Sequence, residues 1–177
     1  KLLHGNDYEI KKITNEDFIG PSSYTLQVSN IAPINENALI PNIRQNYTVT
    51  DKADGERSLL FIAPTGKIYL INNRMQVVFT GAQTENSELY NSLLDGEIIY
   101  QDKYQKYINL CAGFDIYFIN KENVRALSFI PQSVEEMELR HRLSLLKELV
   151  KNLKPLSVVP NEPSPIKIET KRFYPLY

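Results

Sequence analysis

Between residues 47 and 119 the chain is a succession of short apolar runs cut by tight-turn signals, and that spacing calls for antiparallel strands. Tyr47-Thr48-Val49-Thr50 alternates as a strand does. Residues 59–63, 68–71 and 77–79 follow as strands. Pro64-Thr65-Gly66-Lys67 and Asn72-Asn73 are the turns between them. A short helix fits residues 84–93, and residues 94–100 and 108–119 read as further strands.

The clearest helical periodicity covers residues 134–153. Ser133 and Glu136 form a capping box after Pro131. Leu139, Leu143, Leu146, Leu149 and Leu153 then repeat as one apolar stripe, the pattern of a helix laid on a sheet. Pro155 stops the helix, and Pro160, Pro163 and Pro165 stiffen the connection to final strands over 166–168 and 171–177. Residues 1–46 are mixed and polar, interrupted by Pro21, Pro33 and Pro41, with Thr14-Asn15-Glu16-Asp17 able to cap a short helix. The expected division is an arm, or the end of a preceding domain, over 1–46, and a β-rich α+β domain over 47–177.

A chain of 177 residues supports one domain with a real core. Its net charge of −1, from 20 basic and 21 acidic residues, excludes a global basic field for nucleic acid. The single cysteine, Cys111, cannot pair within the chain and fits a reducing, intracellular setting. No apolar run approaches a membrane span, so no membrane partner is expected. His4 and His141 read as structural or solvent-facing, and Cys111 as core. Lys103 and Lys106, in a Tyr-rich turn, read as a solvated hairpin, with contact to RNA as the alternative.

Chemistry enters at Lys52-Ala53-Asp54-Gly55-Glu56-Arg57 and again at Asp95-Gly96-Glu97. A lysine is a nucleophile only when neutral, and with a pKa of about 10.4 reaching that state at pH 7 costs roughly 4.6 kcal/mol in water. Burial and nearby cations lower the cost, and Arg57 and a divalent metal are the candidate cations. Attack on the α-phosphorus of a nucleoside triphosphate gives a phosphoramide and pyrophosphate. Gly55 allows a tight turn and close ligand approach. Asp95 and Glu97 alternate along a strand, so both can face one side, and two hard oxygen donors suit Mg²⁺ or Mn²⁺. The bland alternative is a solvated Asp-Gly turn.

Together these strings resemble the covalent nucleotidyltransferase superfamily of mRNA guanylyltransferases and polynucleotide ligases. Lys52, Asp54, Gly55 and Arg57 match its first motif, and Leu93-Leu94-Asp95-Gly96-Glu97-Ile98 its third. Phe114-Asp115-Ile116-Tyr117 matches the aromatic–Asp motif that follows. The resemblance implies Lys52 as the residue that carries the nucleotide. It implies Asp54, Gly55, Arg57, Arg74, Glu97 and Phe114 as nucleotide contacts, with Phe114 stacking on the base. Asp95 and Glu97 become the metal ligands. The implied fold is two twisted antiparallel sheets with flanking helices and a nucleotide cleft between them.

ATP-using ligases usually place a glutamate two residues before the nucleophile; here that residue is Thr50, as in capping guanylyltransferases. Arg140-His141-Arg142-Leu143 and Lys171-Arg172-Phe173-Tyr174 are similar to capping enzymes of large cytoplasmic DNA viruses. The implied substrates are GTP and RNA with a 5′ diphosphate end. The implied partners are triphosphatase, OB-fold and methyltransferase domains of the same polypeptide, and the implied place is the host cytoplasm, the viral factory or the virion. The family's later Glu-Gly and Lys-x-Lys strings have no convincing counterpart here, nor has the OB-fold lid. The chain therefore reads as a fragment of a multifunctional enzyme, weak or inactive alone. Two alternatives stay open: an adenylating ligase core, and a non-catalytic nucleotide- or RNA-binding module.

Overall fold

A computed structural model describes residues 2, 3, 5, 12–35 and 39–175. After a 3-10 turn, Asn15–Asp17, come the short helix α1 (Val28–Ile31) and strand β1 (Thr48–Thr50). Strands β2 (Glu56–Ile62), β3 (Lys67–Asn72) and β4 (Val77–Gln83) follow, then a 3-10 turn at Ser87–Leu89. Next are β5 (Ser92–Gln101), β6 (Tyr107–Ile119) and β7 (Glu122–Asn123). Helix α2 (Arg142–Leu153) and strands β8 (Leu156–Ser157), β9 (Lys167–Thr170) and β10 (Phe173–Pro175) complete the order. The chain divides into two compact units. The larger holds the residues up to Gly20 and Ala53–Thr170; the smaller holds Pro21–Lys52 and Lys171 onward.

In the larger unit one sheet runs β7-β6-β5-β2-β3-β4-β8. These pairs are antiparallel as expected, but β9 departs from the pattern and joins β6 in parallel, Leu110 facing Lys167 and Gly113 facing Thr170. The turns form where the sequence places them. Gly66 N donates to Ala63 O at 2.9 Å, and Asn72 Oδ1 accepts from the amides of Arg74 and Gln76, both at 3.0 Å. At the N-terminus the Thr14 amide donates to Asp17 Oδ2 at 2.7 Å, the expected cap, although the element it caps is a single 3-10 turn. The short helix expected within 84–93 is likewise only the 3-10 turn at Ser87–Leu89.

Alternation splits the sheet's side chains between two faces. Leu60, Ile62, Ile68, Leu94 and Ile98 form the main core with Leu145, Leu146, Leu149 and Leu153 of α2. A second cluster, Leu59, Leu93, Tyr117 and Phe118, packs with Phe61 and Ile71 and is covered by Leu2, Leu3, Phe18 and Ile19. Cys111 is fully buried in the main core, and burial pushes its thiol up to about 12.

The helix expected over 134–153 begins only at Arg142. Continuing a helix upstream would require the Glu136 carbonyl to accept the amide four residues on. That carbonyl is instead engaged by His141 Nε2 at 2.7 Å and by the Leu139 amide at 2.9 Å. The Glu136 carboxylate accepts from the Gln132 amide at 3.0 Å. Val134, Met137 and Leu139 are exposed, so no apolar burial supports helix there. The stripe holds from Leu146 onward and ends at Lys154, in the left-handed region at φ 40°, just before Pro155.

In the smaller unit β1 pairs antiparallel with β10, Thr48 facing Pro175 and Thr50 facing Phe173. The Thr50 hydroxyl donates to the Arg172 carbonyl at 2.7 Å. The last two residues of the strand expected over 171–177, and His4, lie outside the described residues.

Leu149→Ala should lower stability by about 2–5 kcal/mol, the usual cost of emptying a buried leucine site. Leu139→Ala should change it by less than about 0.5 kcal/mol. Urea unfolding of the two variants checks the helix start; a large loss at position 139 would contradict it.

Candidate active site

Residues 56–62 and 92–98 pair in a register that sets Arg57 opposite Glu97 and Leu59 opposite Asp95. Directly opposed residues share a face, so the two motif strings meet on the face away from α2. Arg57 Nη2 lies 2.6 Å from Asp95 Oδ2, and Arg57 Nε donates to Asp95 Oδ1 at 3.2 Å. The Tyr117 hydroxyl, one strand over, donates to Asp95 Oδ2 at 2.6 Å. Asp95 is 0% exposed, and such a carboxylate is tolerated only when donors saturate it. Its hydrogen bond holds the Arg57 guanidinium above its ordinary pKa, against an opposing effect of burial. Burial, then the bond to Asp95, push the Tyr117 hydroxyl up as well.

Arg57 is also stacked. Its guanidinium carbon lies 5.3 Å from the centre of the Phe18 ring and 5.7 Å from that of Phe114. Phe114 reaches this position through an irregularity: Asp95 faces Asp115 but Gly96 faces Gly113, which leaves Phe114 as the extra residue of a bulge. The aromatic expected to stack on a base thus meets a cation here.

Two carboxylates directly opposite each other across strands repel. At Asp95 and Asp115 each has its own arginine. Arg142, the first residue of α2, donates to Asp115 through Nε at 2.8 Å and Nη2 at 3.3 Å, and its Nη1 also bonds the Leu127 carbonyl. The helix start and the aromatic–Asp string are thereby tied together.

Gly55 sits where the chain passes against β5. A Cβ there would lie 2.5 Å from the Ile98 carbonyl oxygen and 2.9 Å from Glu97 Cγ, so only glycine fits without movement. The Gly55 amide donates to Glu97 Oε1 at 3.1 Å. Beside this loop lies a hollow of about 500 Å³ lined by Asp54, Gly55, Glu56, Tyr100 and Lys103 among others.

The first motif crosses the junction of the two units: Lys52 belongs to the smaller, while Asp54, Gly55 and Arg57 belong to the larger. Lys52 and Asp54 are both exposed. Arg74 is exposed in the β3–β4 turn, held by its own amide, and no side-chain partner is found for it among the described residues. The structure therefore joins Gly55, Arg57, Asp95, Glu97 and Phe114, and does not bring Arg74 to them by any bond. Asp95, expected as a metal ligand, is an ion-pair and hydrogen-bond acceptor in this structure. Both its oxygens are committed to Arg57 and Tyr117 in a site closed to water, and among the described residues no three His, Cys, Asp or Glu side chains gather as a metal site.

Three participants escaped the sequence reading. Tyr117 stands in the aromatic–Asp string, but it reaches Asp95 from a second bulge, since Phe118 faces Leu93 while Ile116 faces Leu94. Phe18 arrives from a distant segment with no local pattern to mark it, and Arg142, although part of the Arg140-His141-Arg142-Leu143 string, carries no mark of its partner Asp115.

Asp95→Ala should cost about 3 kcal/mol by leaving Arg57 without its counter-charge. Tyr117→Phe should cost about 1.5 kcal/mol. A hydroxyl with a raised folded pKa stabilises below the unfolded value, about 10, and that contribution is lost as pH rises through it. Tyr117→Phe should therefore flatten the alkaline fall of stability, measured as urea midpoints across pH.

The chain matches the family described as mRNA capping enzyme, catalytic domain, over residues 12–177. A probable mRNA-capping enzyme of Acanthamoeba polyphaga mimivirus is 34% identical over 100 residues, covering 56% of this chain and 8% of that protein. The matched region is thus a small part of a much longer relative.

Proposed function

This chain belongs to the mRNA capping enzyme catalytic-domain family, a family of nucleotidyltransferases, and from that premise we propose that it is the guanylyltransferase core of a viral capping enzyme. The observation that carries the reading is the register that sets Arg57 opposite Glu97, with Glu97 holding the Gly55 amide. Two motif strings 40 residues apart in the chain thereby meet in one hydrogen-bonded cluster.

In this reading neutral Lys52 attacks the α-phosphorus of GTP. A phosphorus–nitrogen bond forms, the bond to the β-phosphate oxygen breaks, and pyrophosphate leaves. A terminal oxygen of a 5′-diphosphate RNA then attacks the same phosphorus. The phosphorus–nitrogen bond breaks, and the lysine nitrogen recovers its proton. Arg57, fixed by Asp95 and by two rings, offers a pre-oriented cation to ribose or phosphate oxygens. Asp54 and Gly55 line a hollow of their own with Glu56 and Tyr100. Thr50 favours GTP over ATP by elimination: its hydroxyl is donated to Arg172, and no carboxylate stands there to accept from an adenine amino group. In this reading the diphosphate end comes from a triphosphatase and the product cap passes to a methyltransferase, and the resemblance to viral capping enzymes is our ground for placing the reaction in the cytoplasm of an infected host.

Incubating the parent polypeptide with α-labelled GTP or ATP and Mg²⁺ tests this. GTP should give an acid-labile protein adduct, ATP should not, and Lys52→Ala should abolish it. Adduct from ATP alone would mean an adenylating ligase, and no adduct from either nucleotide a binding module.

A further inference from the structure

The segment ahead of the first motif does more than cover apolar surface. Thr14 and Asp17 close the 3-10 turn, the Phe18 amide completes it by donating to Asn15 O at 3.2 Å, and Phe18 then lies over Arg57. Ile19 enters the apolar cluster of Leu59, Leu93 and Tyr117, which anchors the segment on the same face of the sheet. Two residues after Phe18, Gly20 is fitted to the same guanidinium. A Cβ there would lie 2.5 Å from Arg57 Nη2 and 2.5 Å from the Phe18 ring. Ring and glycine thus fit together around one side chain.

We propose that Phe18 is a positioning residue for nucleotide transfer, clamping the Arg57 guanidinium against Phe114 so that it meets the nucleotide in one orientation. The inference rests on the guanylyltransferase reading and extends its site to residues 18–20. The physical reason is pre-organisation. A guanidinium forked onto a carboxylate is fixed in its plane but can still swing about the Cδ–Nε region. The Phe18 ring at 5.3 Å and the Phe114 ring at 5.7 Å restrict that freedom, so less orientation entropy is lost when a phosphate or ribose oxygen arrives. The rings also displace water from the cation's faces, which strengthens its field at the site.

The test uses the full parent polypeptide and single-turnover adduct formation over a range of GTP concentrations, with thermal unfolding in parallel. Phe18→Leu keeps the bulk and loses the π face, and should raise half-saturating GTP or slow the adduct step by about fivefold with little change in Tm. Phe18→Tyr should stay within about twofold of wild type, because its ring has a comparable face. Gly20→Ala, which pushes a methyl group into Arg57, should behave like Phe18→Leu. If Phe18→Leu matches wild type in both rate and half-saturation, the ring is packing only and the proposal falls. It also falls if Phe18→Tyr is as slow as Phe18→Leu, or if all losses track Tm alone. Absence of adduct in the wild type would overturn the guanylyltransferase reading itself, a result distinct from normal wild-type labelling with insensitive Phe18 variants.

Discussion

A carboxylate with no access to water holds the centre of the larger unit. Asp95 survives there because Arg57 and Tyr117 saturate its oxygens, and removing any of the three strands the others. A slip of β2 on β5 by one residue would turn Arg57 to the helix-covered face and leave Asp95 charged and alone. The pair therefore enforces the register of the two strands that carry the motif residues. The apolar side chains around it supply most of the stability; the ion pair supplies the alignment.

Much of the sheet was legible because its strands alternate and its turns carry Pro, Gly and Asn where backbone geometry asks for them. The strand starts of β1, β3 and β4 and the turns at 64–67 and 72–73 follow directly from the residues. The early start expected for α2 shows where local pattern fails. Ser133 and Glu136 have the spacing of a cap, but Leu139 finds nothing to bury against and the Glu136 carbonyl is taken by His141. Propensity proposed a helix there and tertiary contacts declined it. The parallel pairing of β9 with β6 was equally hidden, since a lone short strand carries no mark of its partner's direction.

The candidate site divides in the same way. Gly55, Arg57, Asp95 and Glu97 were readable as motif members, and the register gives them a common face. What the sequence could not give is the use of each. Asp95 is spent on Arg57 where a metal was expected, and Phe114 presents its ring to the same arginine where a base was expected. Asp115, directly across from Asp95, is balanced by an arginine from the start of α2. Repulsion between two facing carboxylates is thus relieved by cations from separate parts of the chain, and no inspection of either string alone reveals that.

The pairing of β1 with β10 has an effect on how the molecule is made. The whole of the large sheet lies between these strands in the sequence, so the ladder leading to Lys52 has no second strand while the ribosome is still translating that sheet. Closing so long a loop carries an entropic cost that rises only slowly with its length, so delay in synthesis sets the order of events. Strand β1 is therefore among the last elements to be locked, after the fork of Arg57 on Asp95 has formed, and the segment that leads into Lys52 settles late.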